Sequence, residues 1–132
     1  MIGLDTGFFI ELMNGNEEAV NLWRACLDDD VELVVSSLSL FEIERLGLKG
    51  KLHHCEAILD AIESVTLVVW LARDILTLAA RFSDGPGIPA MDSLILACLV
   101  SNDCIDIYTT DAHLEAYQSN NVRVRNLRNA RA

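Results

Sequence analysis

The alternation of short β-branched segments with longer helical patterns constrains the fold of this chain most strongly. Five segments have the length and apolar composition of buried strands, and the segments between them carry apolar residues at helical spacing. Parallel strands are joined by helical crossovers, which cover both faces of the sheet. The sequence therefore predicts a three-layer α/β/α fold around a mainly parallel sheet of about five strands.

The predicted elements follow one another without a linker, a repeat or a low-complexity segment, so one domain over residues 1–132 is expected. Ser37 is expected to cap the third helix. The predicted strands are Met1–Leu4, Glu32–Ser36, Val65–Trp70, Asp106–Thr109 and Val122–Val124. The predicted helices are Phe8–Met13, Glu17–Asp28, Ser37–Gly47, Lys51–Glu63, Leu71–Phe82, Ala90–Ser101 and Ala112–Gln118.

The cysteines and the longest apolar segment indicate the compartment. None of the four cysteines has CxxC spacing, which argues against a zinc ribbon and favours buried free thiols in a reducing cytoplasm. The start of the chain does not resemble a signal peptide, because Asp5 and Glu11 interrupt it. The longest apolar run, Ser93–Val100, is too short to span a bilayer. A cytoplasmic protein without a membrane partner is expected.

The charge balance argues against a protein that binds polyanions through an overall positive field. Asp and Glu number 20 and Lys and Arg number 10, which gives a net charge of −10. The last ten residues differ, since they hold four arginines and no acid. This tail is the best candidate for contacts to phosphate, although Arg123 and Arg125 also fit the wet face of an edge strand.

Several acids lie where a charge is costly unless it is paired or binds a metal. Asp5 directly follows the first strand, and Asp111 follows the fourth. Asp92 opens a helix that is apolar nearly all round. Capping of a helix N-terminus accounts for each of these three acids taken singly.

The third helix presents two further acids, and helical periodicity does not choose between them. Glu42 and Glu44 both have leucine neighbours at i−4 and i+4. Asp106 precedes its strand core, at the opposite end from Asp111, and is expected to mark a turn. Asp5, Asp92, Asp111 and one of the two glutamates can converge at one edge of a parallel sheet, because residues after the strands meet there. Clustered carboxylates repel one another unless a cation is present, and such oxygen ligands suit Mg²⁺ or Mn²⁺.

Four short segments resemble the PIN-domain ribonucleases, specifically the VapC-type toxins of toxin–antitoxin pairs. Their order and spacing are more specific than any one of them, and together they span most of the chain. The segments are Ile2-Gly3-Leu4-Asp5-Thr6, Ser36–Gly47 with its SSLSLFEIERLG sequence, Pro89–Ala97 with PAMDSLILA, and Tyr108-Thr109-Thr110-Asp111.

The resemblance implies an acidic quartet of Asp5, Glu42, Asp92 and Asp111, and it selects Glu42 over Glu44. It also implies that Thr6 and Thr110 are accessory hydroxyl residues. The expected activity is a Mg²⁺- or Mn²⁺-dependent endoribonuclease that hydrolyses RNA, forms a homodimer and is inhibited by a small antitoxin protein.

Two other classes of function remain as alternatives. One is a different Mg²⁺-dependent α/β enzyme that handles phosphate, but position 7 is Gly where a dehalogenase-like phosphatase needs an acid. No lysine follows Lys51, whereas a response-regulator receiver needs one late in its chain. The other is a non-catalytic PIN-like binding module.

Core or dimer packing is expected for the aromatic residues Trp23, Phe41, Trp70 and Tyr117, and a surface position for His53, His54 and His113.

Overall fold

A computed structural model describes residues 1–128 of the chain. The strands are β1 (Ile2–Leu4), β2 (Leu33–Ser36), β3 (Leu67–Val69), β4 (Asp106–Thr109) and β5 (Arg123–Asn126). The helices are α1 (Thr6–Met13), α2 (Glu17–Asp28), α3 (Ser37–Leu48), α4 (Cys55–Val65), α5 (Arg73–Asp84) and α6 (Ala90–Val100), with a 3-10 helix at Ala112–Ala116.

The five strands form one sheet in the order β3-β2-β1-β4-β5, and every neighbouring pair is parallel. Successive residues of a strand point to opposite faces. Leu33 and Val35 accordingly pack in one apolar core with the aromatic residues of α1, whereas Val34 packs in a second core with residues of α5 and α6. Both faces of the sheet are covered, so the predicted α/β/α architecture is confirmed.

The register of the sheet brings three chain segments to one edge. Leu4, the last residue of β1, lies beside Val35 of β2 and Tyr108 of β4. Because all three strands run in the same direction, the residues that follow them emerge at the same carboxyl edge. Asp5 and the segment 109–111 therefore lie close together, next to the start of α3.

Two helices differ from the sequence prediction, and the other element bounds lie within two residues of it. The helix predicted over Lys51–Glu63 begins at Cys55, because His54 adopts a left-handed backbone with φ of 60° that a right-handed helix cannot contain. The helix predicted over Ala112–Gln118 is a short 3-10 helix that ends where Tyr117 becomes extended. The prediction placed this helix correctly, but the helix is of the 3-10 type and not an α-helix.

The cap of α3 also differs from the prediction. Ser36 caps this helix, and its Oγ accepts a hydrogen bond from the amide of Leu38 at 3.1 Å. Ser37, the predicted cap, is the first helical residue. The strand and the helix follow one another directly, so the last strand residue is the one with the extended backbone that a cap requires.

The expectation of buried free thiols is confirmed for three of the four cysteines. All four cysteines are free, and Cys26, Cys98 and Cys104 are buried. Within residues 1–128, no helix combines the length and the apolar character that crossing a membrane requires.

Candidate functional site

Asp5 is a nearly buried carboxylate at the centre of the carboxyl edge of the sheet. Its side chain is the N-cap of α1, and Oδ1 accepts a hydrogen bond from the amide of Phe8 at 3.0 Å. Its Oδ2 accepts a hydrogen bond from the hydroxyl of Thr109, the last residue of β4. The capping explanation is therefore correct, but these two bonds also hold both carboxylate oxygens in place.

Burial of Asp5 makes its ionisation unfavourable. The loss of hydration is the largest of the causes that raise its pKa from 3.8 to about 7. The charges of Asp111 and Glu42 raise the pKa of Asp5 further, whereas the bonds from Thr109 and Phe8 oppose the change. A nearby cation would favour the ionised form of this carboxyl.

Glu42 lies on the second turn of α3 and faces Asp5 across the cleft. The hydroxyl of Thr6 donates a hydrogen bond to Glu42 Oε1 at 2.5 Å and is also bonded to Ser39 Oγ at 2.9 Å. Glu42 is half-buried, whereas Glu44 is exposed to solvent. The tertiary structure therefore separates the two glutamates that helical periodicity left equivalent.

Asp92, Asp111 and His113 form a compact group of possible metal ligands. The Nδ1 atom of His113 lies 2.9 Å from Asp111 Oδ1 and 3.6 Å from Asp92 Oδ2. One donor atom from each of the three residues lies within 4.8 Å of the others. Asp111 also caps the 3-10 helix, where it accepts a bond from the His113 amide at 2.9 Å.

The pKa of Asp92 is also raised, from 3.8 to about 6. Burial is the largest cause, and the adjacent Asp111 carboxyl adds to it, whereas His113 opposes it. Asp92 is in the first turn of α6, whose N-cap is Pro89, so capping does not account for its position. Burial is thus the main reason that the pKa of both Asp5 and Asp92 is raised, and the neighbouring acids add to it.

One cleft of about 240 Å³ is shared by all four acids of the predicted quartet. Its wall also includes Thr6 and Thr110, the two predicted accessory residues, and two basic residues that were not among the predicted site residues, Arg45 and Lys49. The apolar part of the wall comes from Ile10, Leu46, Ile95 and Leu114, and Gly7 completes it. The cleft can therefore offer carboxylate oxygens to a cation and positive charge to an anion.

Thr109 is the site residue that sequence reasoning missed most clearly. It is fully buried, it donates to Asp5, and its Oγ1 accepts a bond from the amide of Asp111 at 2.8 Å. A pair of threonines at the end of β4 was the available signal, and the prediction chose Thr110. His113 was expected at the surface; it is exposed, yet it contacts two of the acids.

A close contact between Gly7 and Thr110 supports a prediction. A Cβ atom at position 7 would lie 1.9 Å from Thr110 Oγ1 and 3.0 Å from its Cβ. Gly7→Ala is therefore expected to push Thr110 away and to lower the free energy of unfolding by about 2 kcal/mol, measured by urea denaturation. Removing the hydroxyl as well, in Gly7→Ala with Thr110→Ala, should recover part of the loss. A Gly7→Ala protein as stable as the wild type would contradict this packing.

Asp106 does not mark a turn, contrary to the prediction. It is a buried residue of β4 at the amino edge of the sheet, opposite the site. Its carboxylate accepts hydrogen bonds from Arg123 Nη2 at 3.4 Å and from Arg125 Nε at 2.9 Å. The two arginines point toward this acid because β5 lies directly beside β4. Their structural interpretation is confirmed. Arg128 is exposed, and Arg131 lies outside the described residues.

The aromatic residues divide into two groups. Trp23 packs against Phe8 and Phe9, and Tyr117 packs against Phe82 with ring centroids 5.1 Å apart. For the other two the core alternative is wrong, because Phe41 is 52% exposed and Trp70 is 70% exposed, and packing in a dimer stays a prediction. His53 and His54 are at the surface, as expected.

Comparisons with known proteins agree with this architecture. A family model of the PIN domain matches residues 2–119. No curated protein matches the sequence. The similar solved structures share less than 25% identity with this chain, so they support the fold alone.

The structure of VapBC2 from Rickettsia felis, bound to a DNA fragment from its promoter, is similar with a TM-score of 0.72 at 16% identity, over 96% of this chain and 98% of the other. VapC20 from Mycobacterium tuberculosis, described as a toxin that cleaves the sarcin–ricin loop, is similar with a TM-score of 0.69 at 21% identity, over 93% of this chain and 99% of the other. FitAcB from Neisseria gonorrhoeae is similar with a TM-score of 0.65 at 23% identity, over 96% of this chain and 97% of the other.

Proposed function

The chain belongs to the PIN-domain family, and we propose that it is a VapC-like toxin: an endoribonuclease that requires Mg²⁺ or Mn²⁺ and hydrolyses phosphodiester bonds of RNA. The observation that carries the proposal is the cleft shared by Asp5, Glu42, Asp92 and Asp111. Acids that are crowded and partly buried destabilise a protein unless a cation or hydrogen bonds compensate them, and such clusters are typical of functional sites.

The donor set fits a divalent cation. Asp5, Glu42, Asp92 and Asp111 would supply hard oxygen ligands, and His113 would add a nitrogen beside Asp92 and Asp111. The raised pKa values of Asp5 and Asp92 agree with this assignment, because a bound cation stabilises their ionised forms. When bound, the metal would lower the pKa of a water and neutralise charge that develops on the phosphate.

The residues of the chain orient these ligands. Thr109 and the amide of Phe8 each hold one oxygen of Asp5, and Thr6 holds Glu42 from the first turn of α1. Thr109 also binds the amide of Asp111, so one hydroxyl connects two of the acids. Ligands fixed in this way lose little freedom when a metal and a substrate bind.

Partners are proposed from the similar structures. Several of these are toxin–antitoxin complexes, including one from Klebsiella pneumoniae and VapBC-1 from nontypeable Haemophilus influenzae. We propose accordingly that a small antitoxin protein inhibits this chain, that the chain forms a homodimer, and that it acts in the cytoplasm.

Cleavage of RNA in the presence and absence of metal tests the proposed function. We expect a labelled oligoribonucleotide pool to be cut internally in Mn²⁺ or Mg²⁺ and to remain intact in EDTA, with activity restored when metal is added back. Calorimetric titration with Mn²⁺ provides a second readout. Cleavage that survives EDTA would contradict the metal requirement, and absence of both Mn²⁺ binding and cleavage would favour a non-catalytic binding module.

A further inference from the structure

We propose that Arg45 and Lys49 form a second part of the site, a subsite that binds an RNA backbone phosphate adjacent to the scissile one; this inference rests on the proposed function. Both residues line the same cleft as the four acids. The predicted candidate for phosphate contact was the arginine tail, so the structure assigns this task to a different part of the chain.

The arrangement of α3 gives the subsite its position. Glu42, Arg45 and Lys49 lie three and four residues apart, which places them on one face of the helix. Lys49 lies about 6 Å beyond Arg45 along the helix axis. The face therefore begins with an acid beside the other carboxylates and continues with two cations that lead away from them.

The charge of the cleft explains why such a subsite is needed. A divalent cation can offset part of the charge of the four acids at the scissile phosphate, but the neighbouring phosphates of an RNA strand still approach a chain of net charge −10. Among the described residues, Arg45 and Lys49 are the basic side chains that line the cleft. Arg123 and Arg125 are bonded to Asp106 at the opposite edge of the sheet.

A purely structural role accounts for only part of this geometry. Basic residues near a helix C-terminus interact favourably with the helix dipole, and Arg45 is in the last turn of α3 while Lys49 is its C-cap. The dipole explains their position along the helix, but it does not require that they face the cleft. Neither side chain forms a salt bridge within residues 1–128, so both are available to an anion there.

A phosphate contact of this kind carries no base specificity. It acts on one side of the scissile bond, because both residues belong to the same helix. The subsite therefore sets how the strand lies in the cleft and contributes to affinity for any single-stranded RNA.

Salt dependence measures the number of phosphate contacts directly. For single strands, log affinity falls with log salt concentration with a slope of about 0.7 per phosphate neutralised. Because the two residues share one phosphate, we expect the double variant Arg45→Ala with Lys49→Ala to flatten the plot of log kcat/KM against log NaCl by about 0.7 and each single variant to flatten it by part of that amount. The double variant should raise KM about tenfold at moderate salt, with little change in kcat.

Three variants serve as controls. Arg81 is an exposed basic residue in the last turn of α5 and is not part of the cleft, so Arg81→Ala removes a charge of the same kind from the same place in a helix. Lys51→Ala removes a positive charge two residues beyond Lys49, outside both the helix and the cleft. Arg45→Lys keeps the charge and should keep the wild-type salt dependence.

The outcomes separate the subsite from the proposed function. Calorimetric affinity for Mn²⁺ should be the same in the double variant and the wild type. If RNA is cleaved but the double variant shows the same salt dependence as Arg81→Ala and Lys51→Ala, the subsite is wrong and the nuclease assignment stands. If the wild type cleaves no RNA, the proposed function fails. Fluorescence anisotropy then measures the affinity of each variant for the same oligoribonucleotide. If the double variant binds it as tightly as the controls do, the subsite is wrong as well.

Discussion

Asp5→Asn and Asp92→Asn are each expected to lower kcat/KM for RNA cleavage in Mn²⁺ by about 10³-fold, because each removes a charged ligand worth several kcal/mol in the transition state. Asn keeps the shape of the side chain in both variants. In Asp5→Asn, the amide oxygen can still accept the bond from Phe8 that caps α1. The loss should therefore come from weaker metal binding, and Mn²⁺ calorimetry should show it directly.

A matched control separates the site from general effects of charge. Asp74 is in the first turn of α5, as Asp92 is in the first turn of α6, but it is exposed and lies outside the cleft. Asp74→Asn should leave cleavage and Mn²⁺ affinity unchanged. Glu44→Gln should do the same, in contrast to Glu42→Gln. Wild-type rates in Asp5→Asn or Asp92→Asn would remove the basis for the proposed metal site.

The metal-free protein is expected to lose stability as the pH rises from about 4 to 7. The folded state keeps a proton on Asp5 up to a pKa of about 7, whereas the unfolded chain releases it near 3.8. The folded state binds more protons in this range, so the free energy of unfolding falls with rising pH. In EDTA, we expect the wild type to lose about 3 kcal/mol between pH 5 and pH 8 relative to Asp5→Asn.

Urea denaturation at the two pH values measures this difference, with Asp74→Asn as the control for a surface acid. Asp92, with a pKa of about 6, should add a smaller decrease in the free energy of unfolding, and this decrease should end at a lower pH. Mn²⁺ at about 100 times its Kd should restore about 3 kcal/mol to the wild type at pH 8 and much less to Asp5→Asn. Identical pH dependence in the wild type and in Asp5→Asn would show that Asp5 is not destabilised by burial.

The net charge of −10 has a different meaning once the site is placed. Four acids line a cleft in which a divalent cation would offset part of their charge, and the arginines at positions 123 and 125 are bonded to a structural acid. The tail is therefore not a free positive surface over those positions. Compensation for RNA binding is instead proposed at Arg45 and Lys49, which the composition alone does not distinguish from other basic residues.

Errors in the sequence prediction came from backbone geometry and from side chains that meet through space. The start of α4 depends on the left-handed backbone at His54, which no apolar pattern reveals. Asp106 was assigned to a turn because its partners, Arg123 and Arg125, are 17 and 19 residues away in the chain. Thr109 and Thr110 are adjacent and chemically alike, and only the pleat of β4 determines which one reaches Asp5.

The sequence by itself determined the alternation of strands and helices, the three-layer fold and the acids that could form a site. It could do so because apolar periodicity and the position of a residue after a strand are local properties. The resemblance selected Glu42 over Glu44, which periodicity had left equivalent, and Glu42 lines the cleft in the structure. Only the tertiary structure decided that Thr109 holds Asp5 and that Arg45 and Lys49 line the same cleft. These facts depend on the rotation of α3 against the parallel sheet, which is fixed by packing between residues distant in the chain.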